Sequence, residues 1–242
     1  MDPTSFAIPI PPHGETTGRL YRSADPAGPC LVLAHGAGAG QQHPFMTATA
    51  RELAARGVDV ITFDFLYMHA RKRGPDRPAV LEATWRAVVA EVRRRAQPSS
   101  GILAIGGKSM GGRIASQVLA SRSSDSAADL DSSEGSDSSS VGGLLLLGYP
   151  LHPPGQPDKR RTAHLPQLTT PTLVVQGSRD EFGGEAEVRS AFEVVPTNVA
   201  WHIVAGGDHS LKVPKSTGKS QAEVLEGVYE AVARWVRGLT GA

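Results

Sequence analysis

The sequence predicts an α/β fold built as one domain around a mostly parallel sheet flanked by helices. Three observations lead there. Short, continuous apolar runs alternate with longer helical patterns along the chain. The runs are apolar throughout rather than at every second residue, as strands covered on both faces are. The connections between them are short, as in βαβ units.

The strand candidates are Cys30–Ala34, Val58–Phe63, Ile102–Ile105, Leu144–Leu147, Thr172–Val175 and Trp201–Val204. The helix candidates are Thr47–Arg56, Ala79–Ala96, Met110–Ala120 and Gln221–Leu239. In the second, Val80, Trp85, Val88, Val89 and Val92 recur at roughly helical spacing. In the last, Val224, Val228, Val232, Trp235 and Val236 share one face. Residues 121–140 break the pattern. They are rich in Ser, Asp and Glu, with few apolar side chains to offset the entropy of ordering. They read as a disordered surface loop inserted into a single domain spanning 1–242.

Composition narrows the function. The chain has 242 residues and 40% apolar content, enough for one sizeable core. Its formal net charge is +1, with the acidic insert set against a mildly basic remainder. No field of that size calls for a nucleic acid or a membrane surface as partner. A single cysteine, Cys30, rules out an intramolecular disulfide. The N-terminal MDPTSFAIPI has no basic and apolar signal regions, and no window has transmembrane length. The expected location is the cytoplasm.

Gly107-Lys108-Ser109-Met110-Gly111 matches G-x-S-x-G, between an apolar strand and a helix. That is the context of a nucleophile elbow, where a serine stands on a tight strand-to-helix turn between small neighbours. The Gly-Lys-Ser within it also resembles the end of a phosphate-binding P-loop. That motif needs a glycine where Ile102 stands. After the first strong strand comes His35-Gly36-Ala37-Gly38-Ala39-Gly40, the place of a glycine-rich oxyanion loop. The backbone N–H groups of Ala37 and Met110 are the expected oxyanion donors. A dinucleotide fingerprint, with Asp64 as the ribose-binding acid, competes here. It lacks its third glycine, since Gln41 and His43 occupy the candidate positions.

An elbow serine takes its acid and base from later strand ends, in that order. Asp180 follows the strand TLVVQ, and His209 follows WHIV. Histidine titrates near neutrality and shuttles the serine proton, while a carboxylate fixes its tautomer. Glu181 is the alternative acid. Asp208 reads as a turn former and His202 as a structural histidine. No Cys/His or H-E-x-x-H pattern marks a metal site, and the chemistry calls for no cofactor.

Taken together, HGAGAG (35–40), FDFLYMHARKRGPDRPAVLEA (63–83), IGGKSMGGRIAS (105–116), GYPLHPPGQPDKRRTAHL (148–165), VVQGSRDEFG (174–183) and GGDHSLK (206–212) carry a resemblance. The chain resembles small bacterial dienelactone-hydrolase-like α/β-hydrolases, relatives of the testis-expressed hydrolase-like proteins and of a subunit of the NSL chromatin complex. The resemblance covers nearly the whole chain outside 121–140. It implies the α/β-hydrolase fold and a Ser109, Asp180, His209 triad. Dienelactone hydrolase itself uses cysteine where this chain has Ser109, so that activity does not transfer.

The segment from Gly148 to Thr172 is short and Pro-rich, so a rigid flap over an open cleft is expected instead of a large cap domain. Basic residues cluster in the loops: Arg71, Lys72, Arg73, Lys159, Arg160, Arg161 and Lys212. Those facing the cleft would suit an anionic substrate. His35, Tyr67, Arg71, Arg73, Arg161 and Lys212 are the candidate substrate contacts; Tyr67, Met68 and Phe182 either line an acyl pocket or pack in the core. The expected activity is hydrolysis of a small-molecule, ester-like acyl bond. The alternative is a catalytically silent binding or scaffold module on the same fold. Nothing in the sequence specifies an oligomeric state.

Overall fold

The computed structural model describes residues 2–95, 101–125 and 141–239. The chain opens with strands β1 (Thr4–Ile10) and β2 (Gly14–Tyr21), followed by β3 (Cys30–Ala34), helix α1 (Pro44–Ala55) and β4 (Asp59–Phe63). Helices α2 (Leu66–His69) and α3 (Pro78–Arg95) lead to β5 (Leu103–Lys108), α4 (Met110–Asp125) and β6 (Val141–Leu147). Then come β7 (Thr172–Gly177), α5 (Glu185–Phe192), β8 (Val199–Val204) and α6 (Gln221–Arg237). The eight strands form one sheet in the order β1-β2-β4-β3-β5-β6-β7-β8. From β4 onward every pairing is parallel, as the sequence predicts.

Each apolar run is split by the pleat into two cores. Cys30, Val32 and Ala34 of β3 face the layer formed with Trp85, Val88 and Val92 of α3 and Ile114 of α4. Leu31 and Leu33 face the opposite layer, with Leu53 of α1 and Val228, Val232 and Val236 of α6. Burial on both sides is why these runs show no alternation in the sequence.

Two parts of the architecture were not foreseen. β1 pairs antiparallel with β2, and β2 antiparallel with β4, so a hairpin completes one edge. β2 reads GETTGRLY, and its polar residues hide it from a search for apolar runs. Helix α5 is short. Its N-terminus is capped by the Glu187 carboxylate, which accepts from Gly184 N at 3.0 Å. Helix α4 also runs to Asp125, into the expected insert. The remainder of that insert, 126–140, lies outside the described residues. Among the described residues no helix is long and apolar enough to cross a membrane.

The strand order reverses at β3, which lies between β4 and β5. In an open α/β sheet, the crevice beyond the carboxyl ends of the strands at such a switch point is where ligands bind. Here those ends carry the His35 loop and Ser109.

Candidate active site

At the end of β5, Ser109 has φ of 50°, in the left-handed region that a residue with a side chain seldom occupies. Two interactions hold it there. Its N–H donates to Leu147 O at 2.9 Å, and its carbonyl accepts from Arg113 N at 3.0 Å, opening α4. The flanking glycines permit the close approach of the β3 loop. A Cβ on Gly107 would stand 2.4 Å from Ala34 O, and one on Gly111 2.5 Å from His35 O. The serine turn and the His35 loop are therefore in direct backbone contact.

The turns after β7 and β8 are joined in the same way. Arg179 N donates to Gly207 O at 2.9 Å, and Ser178 Oγ accepts from Gly206 N at 2.8 Å. Asp208 shapes the second turn, its Oδ1 accepting from Ser210 N at 2.8 Å and Lys212 N at 2.9 Å. These turns present His209 between Asp180 and Ser109. His209 Nδ1 lies 2.8 Å from Asp180 Oδ2, and Nε2 lies 2.8 Å from Ser109 Oγ. The Asp180 side chain is fully buried, while that of His209 is 18% exposed. Phe182 lies against the imidazole, ring centroids 4.1 Å apart. Glu181 is exposed, and it is Asp180 that reaches the histidine.

Gln176 carries no signal in the sequence, and Lys108 carries a misleading one. Gln176, fully buried in β7, donates from Nε2 to Asp180 Oδ2 at 2.9 Å and to Gly183 O at 2.8 Å. Phe182 N occupies the other carboxylate oxygen, Oδ1, at 2.8 Å. Lys108, beside the serine, donates from Nζ to His209 O at 2.5 Å. Burial lowers its pKa to about 8, partly opposed by Asp180 and Asp208. A P-loop reading of Gly107-Lys108-Ser109 leaves Lys108 free for a phosphate; here its ammonium holds the loop of the histidine.

The family model for the alpha/beta hydrolase domain matches residues 27–237. This chain belongs to that family. Solved structures show the same fold at low identity. The dienelactone hydrolase of Anabaena variabilis is 18% identical, with 99% of this chain and 100% of that chain covered and a TM-score of 0.72. An alpha-beta serine hydrolase homologue from Coxiella burnetii is 17% identical over 97% of each chain, with a TM-score of 0.70. A serine hydrolase without a lid from Xanthomonas campestris is 17% identical, covering 97% and 95%, with a TM-score of 0.66.

In this α/β hydrolase Ser109 and His209 line a cleft of about 1020 Å³, and Asp180 is buried behind the histidine. Gly36, Ala37, Phe45, Met46, Met110 and Phe182 are among the cleft's lining residues. Met110 begins α4, so its N–H has no partner within the helix. Ala37 is held from behind by Tyr67, whose Oη donates to Ala37 O at 2.9 Å. Burial raises the Tyr67 pKa to about 12, so it remains a donor.

Several expected substrate contacts lie elsewhere. His35 is fully buried beneath its loop: Nδ1 donates to Gly36 O at 2.7 Å, and Nε2 accepts from Phe65 N at 3.0 Å. Burial lowers its pKa, which keeps the ring neutral. Tyr67 is likewise 1% exposed and serves as a brace, without lining the cleft. Arg71 and Arg73 are exposed and outside the cleft, because the tight turn after α2, with Arg71 at φ 55°, carries them to the surface. Arg161 and Lys212 do line it. Asp64, the ribose candidate, accepts from Gln41 N at 2.7 Å and from Gln41 Nε2 at 3.2 Å, bracing the His35 loop.

Proposed function

We propose that this protein is a serine hydrolase that cleaves an ester-like acyl bond in a small molecule through a covalent acyl-serine. The observation that carries the reading is the hydrogen-bonded line from Ser109 through His209 to Asp180, at 2.8 Å for each link, with Ser109 and His209 lining an open cleft. His209 takes the Ser109 proton on Nε2 as Oγ attacks the acyl carbon. The backbone N–H groups of Ala37 and Met110 receive the oxyanion. His209 then passes its proton to the departing alcohol. A water deprotonated by His209 attacks the acyl-serine, and His209 returns that proton to Ser109 Oγ as the acid is released. Asp180, oriented by Gln176 and Phe182 N, holds the Nδ1–H tautomer and stabilises the imidazolium.

Within the family we place the chain in the dienelactone-hydrolase-like branch, near the testis-expressed and NSL-complex relatives, on the loops GYPLHPP and RKRGPDRP. The cytoplasm is the proposed location. A silent scaffold gives no reason for a strained serine bonded to a histidine in a cleft.

The test is turnover of p-nitrophenyl esters of graded acyl length by the protein and by Ser109→Ala, with labelling by a fluorophosphonate probe. Turnover and labelling should both depend on Ser109. Activity that survives the substitution, or a folded protein that neither turns over esters nor takes the label, overturns the reading.

A further inference from the structure

The cleft holds positive charge that the proposed reaction does not use. Asp76, Lys108, Arg113, Arg161 and Lys212 line it. Asp76 is engaged, accepting from Tyr67 N at 2.8 Å with Lys72 Nζ at 3.9 Å. Lys108 is bound to His209 O, and Lys212 is exposed to solvent. Arg113 and Arg161 remain.

Arg113 sits one helical turn after Ser109 on α4 and lines the same cleft as the serine. Its Nη1 donates to Gln117 Oε1 at 3.1 Å, while its Nε is buried without a hydrogen-bond partner. Arg161 comes from the Pro-rich segment and is fixed at three points. Its N–H donates to Leu151 O at 2.8 Å, its carbonyl accepts from Tyr149 Oη at 2.5 Å, and its Nη1 donates to Pro150 O at 3.2 Å. The two guanidiniums are close enough for Arg161 to add to burial in lowering the Arg113 pKa.

Neither arginine has a salt bridge among the described residues. Glu82, the carboxylate whose field reaches Arg113, stands 3.9 Å from Arg86. His164 beside them is held neutral, its pKa lowered to about 4 by burial and then by Arg113. Two partly buried like charges with unused planar donors are unfavourable alone and well matched to an oxyanion between them.

We propose that Arg113 and Arg161 form an anion subsite beside Ser109, and that the substrate is an ester bearing a second, anionic group, a carboxylate or a phosphate. The assignment rests on the hydrolase reading and names its substrate class.

Three matched ester pairs test it, each an anionic ester against its methylated neutral counterpart. They are p-nitrophenyl glutarate hemi-ester, 4-acetoxybenzoate and 4-acetoxyphenyl phosphate. In at least one pair the anionic member should have kcat/KM about 10- to 100-fold above the neutral one, the range of a hydrogen bond to a charged group. Arg113→Gln and Arg161→Gln should each bring that ratio toward one. No anionic preference in any pair, or a preference that survives both substitutions, overturns the subsite. The carboxylate and phosphate pairs identify which anion it takes.

Calorimetric binding of glutarate and of inorganic phosphate to Ser109→Ala needs no turnover. Binding of either that weakens in Ser109→Ala/Arg161→Gln supports the subsite; binding of neither, or binding unchanged by the second substitution, overturns it. Fluorophosphonate labelling of the wild type without any anion preference defeats the subsite alone. Anion binding through the arginines in a protein that never labels defeats the hydrolase reading alone.

Discussion

The turns after β5, β7 and β8 are short and held by backbone hydrogen bonds, Ser109 N to Leu147 O at the end of β6 and Arg179 N to Gly207 O between the other two turns. The segments 64–78 and 148–171, which wall the cleft, depend on side chains from distant parts of the chain. Thr16 Oγ1 donates to Asp64 O at 2.7 Å, and Gln176 Oε1 accepts from Tyr149 N at 2.8 Å. Ser116 Oγ lies 2.7 Å from His164 Nε2. In the first kind of region the sheet itself dictates where a residue stands. In the second, position depends on tertiary partners that local sequence does not announce. A basic residue there faces either the cleft, as Arg161 does, or solvent, as Arg71 and Arg73 do.

Substitutions in the first region should be the most damaging. Ser109→Ala and Asp180→Asn should each lower kcat for a p-nitrophenyl ester by roughly 10⁴-fold or more. Glu181→Gln should stay within about twofold, since the neighbouring carboxylate is solvated. Equal losses at Asp180 and Glu181 would break the link between strand-end position and role.

Gly111→Ala comes next. Its methyl would force α4 and the His35 loop apart, displacing the Ala37 N–H from its place beside Ser109. A loss of about 10- to 100-fold in kcat, with a stability loss of ~2 kcal/mol by urea unfolding, is expected. Retained activity would show that the two elements tolerate separation.

Tyr67→Phe probes a wall residue acting on the His35 loop. Removing the bond to Ala37 O should reduce kcat by about fivefold and stability by ~1 kcal/mol. Unchanged KM would separate positioning of the loop from substrate contact.

The smallest effect is expected at His164. Its pKa in the folded protein, about 4, lies below the usual 6.5, so folding favours the neutral ring. Between these values the unfolded chain binds more protons, and stability falls as pH drops through that window. His164→Asn should reduce the loss between pH 7 and 4.5 by about 1 kcal/mol, read from urea midpoints at both pH values. An unaltered pH dependence would refute the account of this wall.

The same contrast explains what could be read in advance. Cys30–Ala34 was legible to the residue because burial on both faces leaves an unbroken apolar run. Ser109, Asp180 and His209 were legible because each follows such a run. The β1–β2 hairpin was missed, since β2 is polar and gains its place by pairing along an edge. Gln176 was hidden inside an apolar strand, and Lys108 resembled part of a phosphate loop. His35 and Tyr67 look like contacts in the sequence because polar residues beside a glycine-rich loop look alike whether they face ligand or brace the backbone.

Lys108 has one further consequence. Its bond to His209 O spans 101 positions of chain and closes a ring with the serine–histidine bond. Loss of ordering freedom in that ring is settled when the protein folds, well before any ester arrives. Denaturant or heat that releases the last strand turn should therefore silence the site before the sheet melts, and inactivation should run ahead of the loss of strand signal.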